Sequence, residues 1–194
     1  MRIIAGTYRG RTIDAPDGMG TRPTTDRVRE SLMSAVSSAT GGFEGLRVLD
    51  AFAGSGALGI ECISRGAAHA TFTDRDAKAI ATIKKNISML GIPATQALVL
   101  RTDILQRTVT AGGPFELVLL DPPYAYTPET VLGLLEALND ARALSPEALI
   151  TYEHAKACDI SPLFASHTLH LAELTTKIYG DIAITFLAPE RNDQ

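Results

Sequence analysis

The stretch that decides the fold is residues 48–59, Val48-Leu-Asp50-Ala-Phe52-Ala53-Gly54-Ser55-Gly56-Ala-Leu-Gly59. Residues 48–53 read as a buried strand, the glycines as a loop, and residues 57–65 as a helix. Glycine removes Cβ where the backbone must come close to a ligand. Gly54, Gly56 and Gly59 also satisfy the GxGxxG spacing of a dinucleotide site. Asp50 argues against that reading. It stands at the strand tip, four residues before the first glycine, where a carboxylate faces a ligand ammonium and not a pyrophosphate. No acid or base of a dehydrogenase follows. The plain alternative is a close helix–strand contact that needs small residues.

Further along the chain, strands and helices alternate. Residues 70–73, 97–100, 117–120 and 148–152 read as strands, and 77–90 and 128–138 as helices. Ile80, Ile83, Ile87 and Leu90 share one face of the first of these helices. The 117–120 run is wholly apolar, as a strand covered on both faces must be. Residues 168–179 and 182–187 read as two strands joined at the turn Gly180-Asp181. The expectation is an α/β fold with a mostly parallel, Rossmann-like sheet, right-handed crossovers and an antiparallel C-terminal hairpin.

Upstream, residues 2–15 read as a hairpin around 6–10, and 16–23 as a loop. Thr24, Thr25 and Asp26 are N-cap candidates for a helix carrying Val28, Leu32 and Val36. Thr40-Gly41-Gly42 reads as a hinge, which divides a 1–42 extension from a 43–194 main domain.

The chain has 194 residues, of which 45% are hydrophobic and 21% charged, and its mean hydropathy is near zero. This excludes a disordered chain. The longest stretch without Asp, Glu, Lys or Arg, 86–100, is broken by Gly91 and Pro93, so no membrane span is expected. Arg2, Arg9 and Arg11 bracket only the short apolar run 3–5, which is no signal peptide; the cytoplasm is expected. Cys62 and Cys158 form no disulfide framework, and no Cys/His cluster calls for a metal. The four histidines are scattered, and His167 and His170 are expected in a strand.

The net charge is −4, yet the first thirty residues hold six arginines (Arg2, Arg9, Arg11, Arg22, Arg27, Arg29) and no lysine. Fork-shaped donors can grip phosphates or stack on bases, so these six are candidate nucleic-acid contacts, although composition alone favours a solvated surface hairpin and helix. The competing reading pairs Arg27 with Glu30, or Asp26 with Arg29, along a helix surface.

Asp74 ends the second strand, 20 residues after Gly54, the offset at which a carboxylate accepts both hydroxyls of a ribose. Asp76 reads as the N-cap of the 77–90 helix. Asp103 follows the third strand, where it can accept from an adenine amino group or make an Asx-turn. Asp121-Pro122-Pro123-Tyr124 follows the apolar strand. Two prolines fix φ and remove two N–H groups, leaving a rigid loop with a carboxylate, carbonyls and a ring. A carboxylate beside a carbonyl can accept both N–H bonds of an exocyclic amine, and the ring can stack on the base that carries it.

The segment 50–56 together with Asp121-Pro-Pro-Tyr124 resembles class I S-adenosylmethionine-dependent methyltransferases that act on base amino groups. Arg2-Ile-Ile-Ala-Gly6, Arg9-Gly-Arg11, Arg22-Pro-Thr-Thr-Asp26-Arg-Val-Arg29-Glu30, Ser64-Arg-Gly66 and Tyr179-Gly180-Asp181 narrow the likeness. The chain resembles the bacterial small-subunit ribosomal RNA methyltransferase D family, almost end to end. The resemblance implies transfer of methyl from S-adenosylmethionine to guanine N2 at position 966 of 16S rRNA, in the 30S subunit or an assembly intermediate. The acting chain is expected to be a monomer with no metal and no membrane contact. Asp50, Phe52, Ala53, Gly54, Ser55, Gly56, Asp74 and Asp103 are then expected around the cofactor. Asp121, Pro122, Pro123 and Tyr124 are expected around a flipped-out guanine, in an SN2 transfer governed by positioning. The family commonly has Glu where Asp74 stands. Three rival readings are a base adenine-N6 methyltransferase, a nicotinamide oxidoreductase and a non-catalytic assembly factor.

Overall fold

Strand β1 (Arg47–Asp50) pairs in parallel with β2 (His69–Asp74) on one side and β4 (Phe115–Leu120) on the other. Around this centre stand β3 (Ala97–Arg101), β5 (Leu144–Ala155), β6 (Leu171–Tyr179) and β7 (Ile182–Pro189). The computed structural model describes residues 1–15, 26–166 and 169–190, with side chains omitted at 164–166. It arranges the strands in one sheet of order β3-β2-β1-β4-β5-β7-β6. The first five are parallel, and β7 runs antiparallel between β5 and β6. The order reverses between β1 and β4, and open α/β sheets bind ligands beyond the carboxyl ends of the strands at such a point.

The helices are α1 (Asp26–Thr40), α2 (Ala57–Ser64), α3 (Ala77–Leu90) and α4 (Pro128–Asp140). The apolar strands are explained by their two covered faces. Val48, Leu117 and Leu119 pack with Leu32, Met33 and Val36 of α1, Ile60 and Ile63 of α2, and Ile80 and Ile83 of α3. Leu49, Val118 and Leu120 turn to the other face and pack with Val131, Leu134, Leu135 and Leu138 of α4. Alternation across the pleat thus makes every residue of the 117–120 run a core residue.

The 77–90 helix lies where its periodicity places it, with Asp76 as the N-cap: its carboxylate accepts from the Lys78 amide at 3.0 Å. The fifth strand is longer than expected, and β6 begins at Leu171, so His170 precedes it while His167 lies outside the described residues. The 16–23 loop and the cap candidates Thr24 and Thr25 also lie outside them. A 3-10 helix over Ser161–Ser166 had no sequence signal. Cys62 is buried and Cys158 half-buried, and both are free thiols.

The N-terminal segment departs most from expectation. The hairpin is a single antiparallel bridge, Arg2 to Thr12, with Ile3 and Ile13 donating to the Arg11 and Met1 carbonyls at 3.0 and 2.9 Å. Helix side chains hold the segment. Glu61 of α2, fully buried, accepts the Ile4 amide at 2.8 Å, the Ala5 amide at 3.0 Å and Arg65 Nε at 2.8 Å. Ser64 Oγ accepts the Tyr8 amide and donates to the Ala5 carbonyl. Gly6 has a left-handed φ of 81°, and a Cβ there would run into the Ser64 carbonyl. Buried Asn86 of α3 accepts the Asp14 amide at 2.9 Å and donates to the Asp14 and Ser55 carbonyls. Ile3, Ile13 and the apolar face of α1 share a core with Val48 and Phe72. Residues 1–15 and α1 thus pack on the same core as β1 and β2.

Glu61→Ala removes the acceptor of two backbone amides. Each buried donor left without a partner costs about 1–3 kcal/mol. The variant is expected to lose stability by that order in urea denaturation. The Ile4 and Ala5 amides should exchange hydrogen faster than those of α3.

Candidate active site

Asp50, the last residue of β1, is 2% exposed, and its Oδ2 accepts the Gly59 amide at 2.9 Å. That bond ties the strand tip to the first turn of α2. It demands glycine at 59, where a Cβ would overlap the Phe72 ring. The loop between them is held by Thr73, whose hydroxyl donates to the Ala51 carbonyl at 2.7 Å, and by the Ala53 amide on the Thr73 carbonyl at 2.9 Å. Asp74 ends β2, and its two oxygens accept the Gly54 amide at 3.0 Å and the Asp76 amide at 2.8 Å. The same carboxylate thus shapes the glycine loop.

These residues open onto a cavity of ≈ 920 Å³ beyond the carboxyl ends of β1, β2 and β4. Of the expected cofactor residues, Asp50, Phe52, Ala53, Gly54, Ser55, Asp74 and Asp103 line it, and so do all four of Asp121, Pro122, Pro123 and Tyr124. Gly56 does not. It caps α2 with a φ of 78°, and a Cβ there would meet Ile83 and Ile60 at 3.3 and 3.4 Å. Gly59 therefore serves the close helix–strand contact, and Gly56 sits against the side chains of α2 and α3. Gly54, with φ 54° and nothing within 4 Å of its Cβ position, is the glycine that opens to the cavity. Asp103 makes the Asx-turn, accepting the Leu105 amide at 3.1 Å, while also lining the cavity.

Several cavity residues had no part in the sequence analysis, among them Tyr126, Arg75 and Glu153. Tyr126 faces Phe52, ring centroids 6.0 Å apart, and the Arg75 guanidinium lies 5.6 Å from its ring centre. Glu153, near the end of β5, lines the wall beside Asp121. The usable signal for Glu153 was its level: a carboxylate near the carboxyl end of a parallel strand, like Asp50, Asp74 and Asp121.

The cavity is strongly acidic. Six carboxyls (Asp50, Asp74, Asp76, Asp103, Asp121, Glu153) and two guanidiniums (Arg29, Arg75) line it. Burial is the main force that pushes the Asp50 carboxyl up to about 7; the Gly59 bond opposes it, and Asp121 and Asp74 add repulsion. Asp121 opens to the cavity, but the surrounding protein still pushes its carboxyl upward. Burial and then Asp121 push Glu153 up as well. Such a site fits a cation. It is less suited to a pyrophosphate, which speaks against the nicotinamide reading. S-adenosylmethionine carries an ammonium and a sulfonium, and the open space at Gly54 leaves room for its close approach.

The arginines divide. Arg29 is 2% exposed: its Nη2 donates to the Arg2 carbonyl at 2.6 Å and to Asp26 at 2.9 Å. Arg11 donates to the Leu90 and Met89 carbonyls at 3.2 and 2.5 Å, where a cation suits the C-terminus of α3. The reading of Arg29 as an RNA contact is corrected: its guanidinium is buried and engaged within the protein, and the Asp26–Arg29 pair is the one formed. Arg11 stays exposed while it bonds the end of α3. Arg2, Arg9 and Arg27 are exposed, and Arg22 lies outside the described residues.

A parallel sheet of this order, with a glycine loop after β1 and an acidic cavity for a sulfonium, defines an S-adenosylmethionine-dependent methyltransferase. The family model described as Conserved hypothetical protein 95 matches residues 1–188, and the chain belongs to that family. Ribosomal RNA small subunit methyltransferase D of Escherichia coli K12 is 36% identical over 187 residues, covering 94% of this chain and 87% of the relative. The protein of that name from Haemophilus influenzae is 37% identical over 159 residues, covering 80% and 79%. Among solved structures, Escherichia coli yhhF superposes with a TM-score of 0.79 at 33% identity, covering 98% of both chains. Magnesium protoporphyrin IX methyltransferase of Synechocystis with bound S-adenosylmethionine shares the fold, with a TM-score of 0.63 at 20% identity, covering 84% of this chain and 79% of that one. The protein is an enzyme of this class, and S-adenosylmethionine is its methyl donor.

Two outcomes follow from this geometry. The folded-state pKa of Asp50 lies above its unfolded value of 3.8, at about 7, so the folded chain holds a proton that the unfolded chain has lost. Its contribution to stability therefore declines as pH rises between about 4 and 7. Asp50→Asn is expected to outlast wild type in thermal melts by a margin that opens over this window, of the order of a few kcal/mol at most. The same variant should bind S-adenosylmethionine more weakly in calorimetry. Gly56→Val, by contrast, should lower the melting temperature even without cofactor, because it strains a left-handed backbone and crowds Ile83.

Proposed function

We propose that this enzyme methylates the N2 amine of a guanine in small-subunit ribosomal RNA, at position 966 of 16S rRNA, within the 30S subunit or an assembly intermediate. One observation carries the reading: Asp121-Pro-Pro-Tyr124, an amine-accepting loop, opens into the same cavity as Asp50, Gly54 and Asp74. The names of the 36–37% identical relatives supply the RNA. Among the described residues no helix is long and apolar enough to cross a membrane. The enzyme is assigned to the cytoplasm, where its substrate is, and acts as a monomer without a metal.

Asp50, Gly54 and Ser55 hold the amino-acid end of the cofactor, Asp74 the ribose, and Asp103 with Phe52 the adenine side. S-adenosylmethionine, when bound, supplies an already activated methyl group. The chain then has to position the nucleophile. Asp121 and the Pro122 carbonyl accept the N–H bonds of the target amine and turn its lone pair towards the methyl donor. Pro122 and Pro123 fix that geometry. Tyr124, 58% exposed at the cavity mouth, stacks on the flipped base. Orientation of this kind supplies about 7–11 kcal/mol of a barrier. Arg2, Arg9, Arg11 and Arg27, exposed outside the acidic cavity, are the arginines that meet RNA phosphates.

Labelled methyl transfer to 30S subunits, naked 16S RNA and duplex DNA, with the product base identified, tests the reading. N2-methylguanine in ribosomal RNA supports it; methyladenine, or no turnover on either RNA, sinks it. Asp121→Ala is expected to keep cofactor affinity and to lose turnover by about 2.7–4 kcal/mol, by analogy with a removed oxyanion-hole donor. Tyr124→Ala should lose about 1–3 kcal/mol of stacking, and Tyr124→Phe little. Arg9→Glu should weaken substrate binding and flatten its log–log salt slope by about 0.7–0.9 per lost phosphate contact, with melting unchanged.

A further inference from the structure

Asp121 is not the only carboxyl at the substrate end of the cavity. Leu120 of β4 and Tyr152 of β5 are register partners in the parallel ladder, so Asp121 and Glu153 are the next pair along the two strands. Tyr152 and His154 are both buried, and His154 Nε2 meets the Thr185 hydroxyl at 2.9 Å. Alternation across the pleat sets Glu153 opposite to them, and it lines the cavity with Asp121. Asp50, the register partner of Leu119 in β1, lies on the same face two residues back. Among the described residues no ion pair engages Glu153. The charged groups that line the same cavity are Asp121 just after β4, Asp50 from β1, Asp74 from β2, Arg75 and Asp76 just after β2, Asp103 just after β3, and Arg29 from α1. A half-buried carboxyl facing other carboxyls costs stability unless a ligand brings donors to it.

Amine capture by Asp121 does not by itself distinguish bases, because adenine and cytosine also carry an exocyclic amine. The ring nitrogen beside that amine does distinguish them. In guanine, N1 carries a hydrogen and donates; in adenine N1, and in cytosine N3, the position is a lone pair. A carboxylate can accept only from a donor, and it repels a lone pair.

We propose that Glu153 is a specificity-determining residue that accepts the N1–H of the target guanine while Asp121 accepts from its N2 amine. This rests on the guanine-N2 reading above and deepens it. The pair reads two adjacent donors with two adjacent carboxyls, and a base with a lone pair beside its amine meets an unpaired carboxylate. Burial and Asp121 already push the Glu153 carboxyl upward in the free site. A cationic cofactor and two N–H donors both favour the ionised form that accepts.

The experiment uses small subunits reconstituted with 16S RNA that carries either guanine or 2-aminopurine at the target position. 2-Aminopurine keeps the 2-amino group but has a lone pair at N1. Sites built to bond an N–H reject analogues lacking it by large factors. Wild type should therefore favour guanine in kcat/KM by at least 100-fold. Glu153→Gln and Glu153→Ala should reduce that ratio at least tenfold, and Glu153→Asp should retain most of it. Because the ratio compares two substrates on one preparation, it does not depend on how much of a variant is folded. A merely structural glutamate would lower both substrates alike and leave the ratio unchanged; that result overturns the proposal. Absence of guanine methylation by wild type overturns the underlying functional reading instead, and it shows in the wild-type arm alone.

Discussion

The bond from the Gly59 amide to the Asp50 carboxylate is the constraint on which the rest of the structure depends. It places a carboxyl under the glycine loop with 2% exposure, where burial opposes its charge. To reach it, α2 must come close enough to β1 and β2 that Gly59 has no room for a side chain, while Gly56 lies tightly against Ile60 and Ile83. Phe72, Ile60 and Ile83 fill the space up to those two Cα atoms, so the apolar core and the ligand loop share one surface. A neutral residue at position 50 would suit the empty fold better. The acid is tolerated because the site must receive a positive ligand, and the local conflict between stability and placement is what marks a functional residue.

The N-terminal segment is tied to the same loop. Asn86 bonds Asp14 on one side and the Ser55 carbonyl on the other, so one buried side chain joins the segment to the cofactor loop. Glu61 and Ser64 take the backbone of residues 4–8 in place of a second strand. Met1 and Arg29 close one side of the cavity. The proposed RNA-facing arginines therefore stand on a segment that is packed against the catalytic core, and RNA bound there is held at a fixed distance from Asp121. Such rigidity suits an enzyme whose catalysis is mainly positioning.

Charge divides the labour between cavity and surface. Six carboxyls around the cavity favour the cationic cofactor over phosphate, while the exposed Arg2, Arg9, Arg11 and Arg27 lie outside it. A polyanionic substrate can then place a base inside only by leaving its backbone outside, which is the geometry a flipped nucleotide requires. The overall charge of −4 is thus compatible with an RNA enzyme, because the excess acid is concentrated where the base and the cofactor enter.

The sequence by itself determined the alternating strands and helices, the α3 boundaries, the two-faced burial of 117–120, and the convergence of Asp50, Gly54, Asp74 and Asp121 at one edge of the sheet. Each of these follows from local periodicity, or from motifs whose residues all sit at the carboxyl ends of parallel strands. Tertiary structure alone decided which arginines are spent inside the protein. Arg29 is buried and answers to the Arg2 carbonyl, while Arg11 stays exposed and reaches the end of α3, 78 and 79 residues away. It also decided that Gly56 faces Ile83, that residues 1–15 and α1 share the main core, and that Tyr126 and Glu153 join the cavity. The physical reason is the same in every case. A charged or aromatic side chain takes its role from whichever partner the folded chain brings against it, and those partners are remote in sequence.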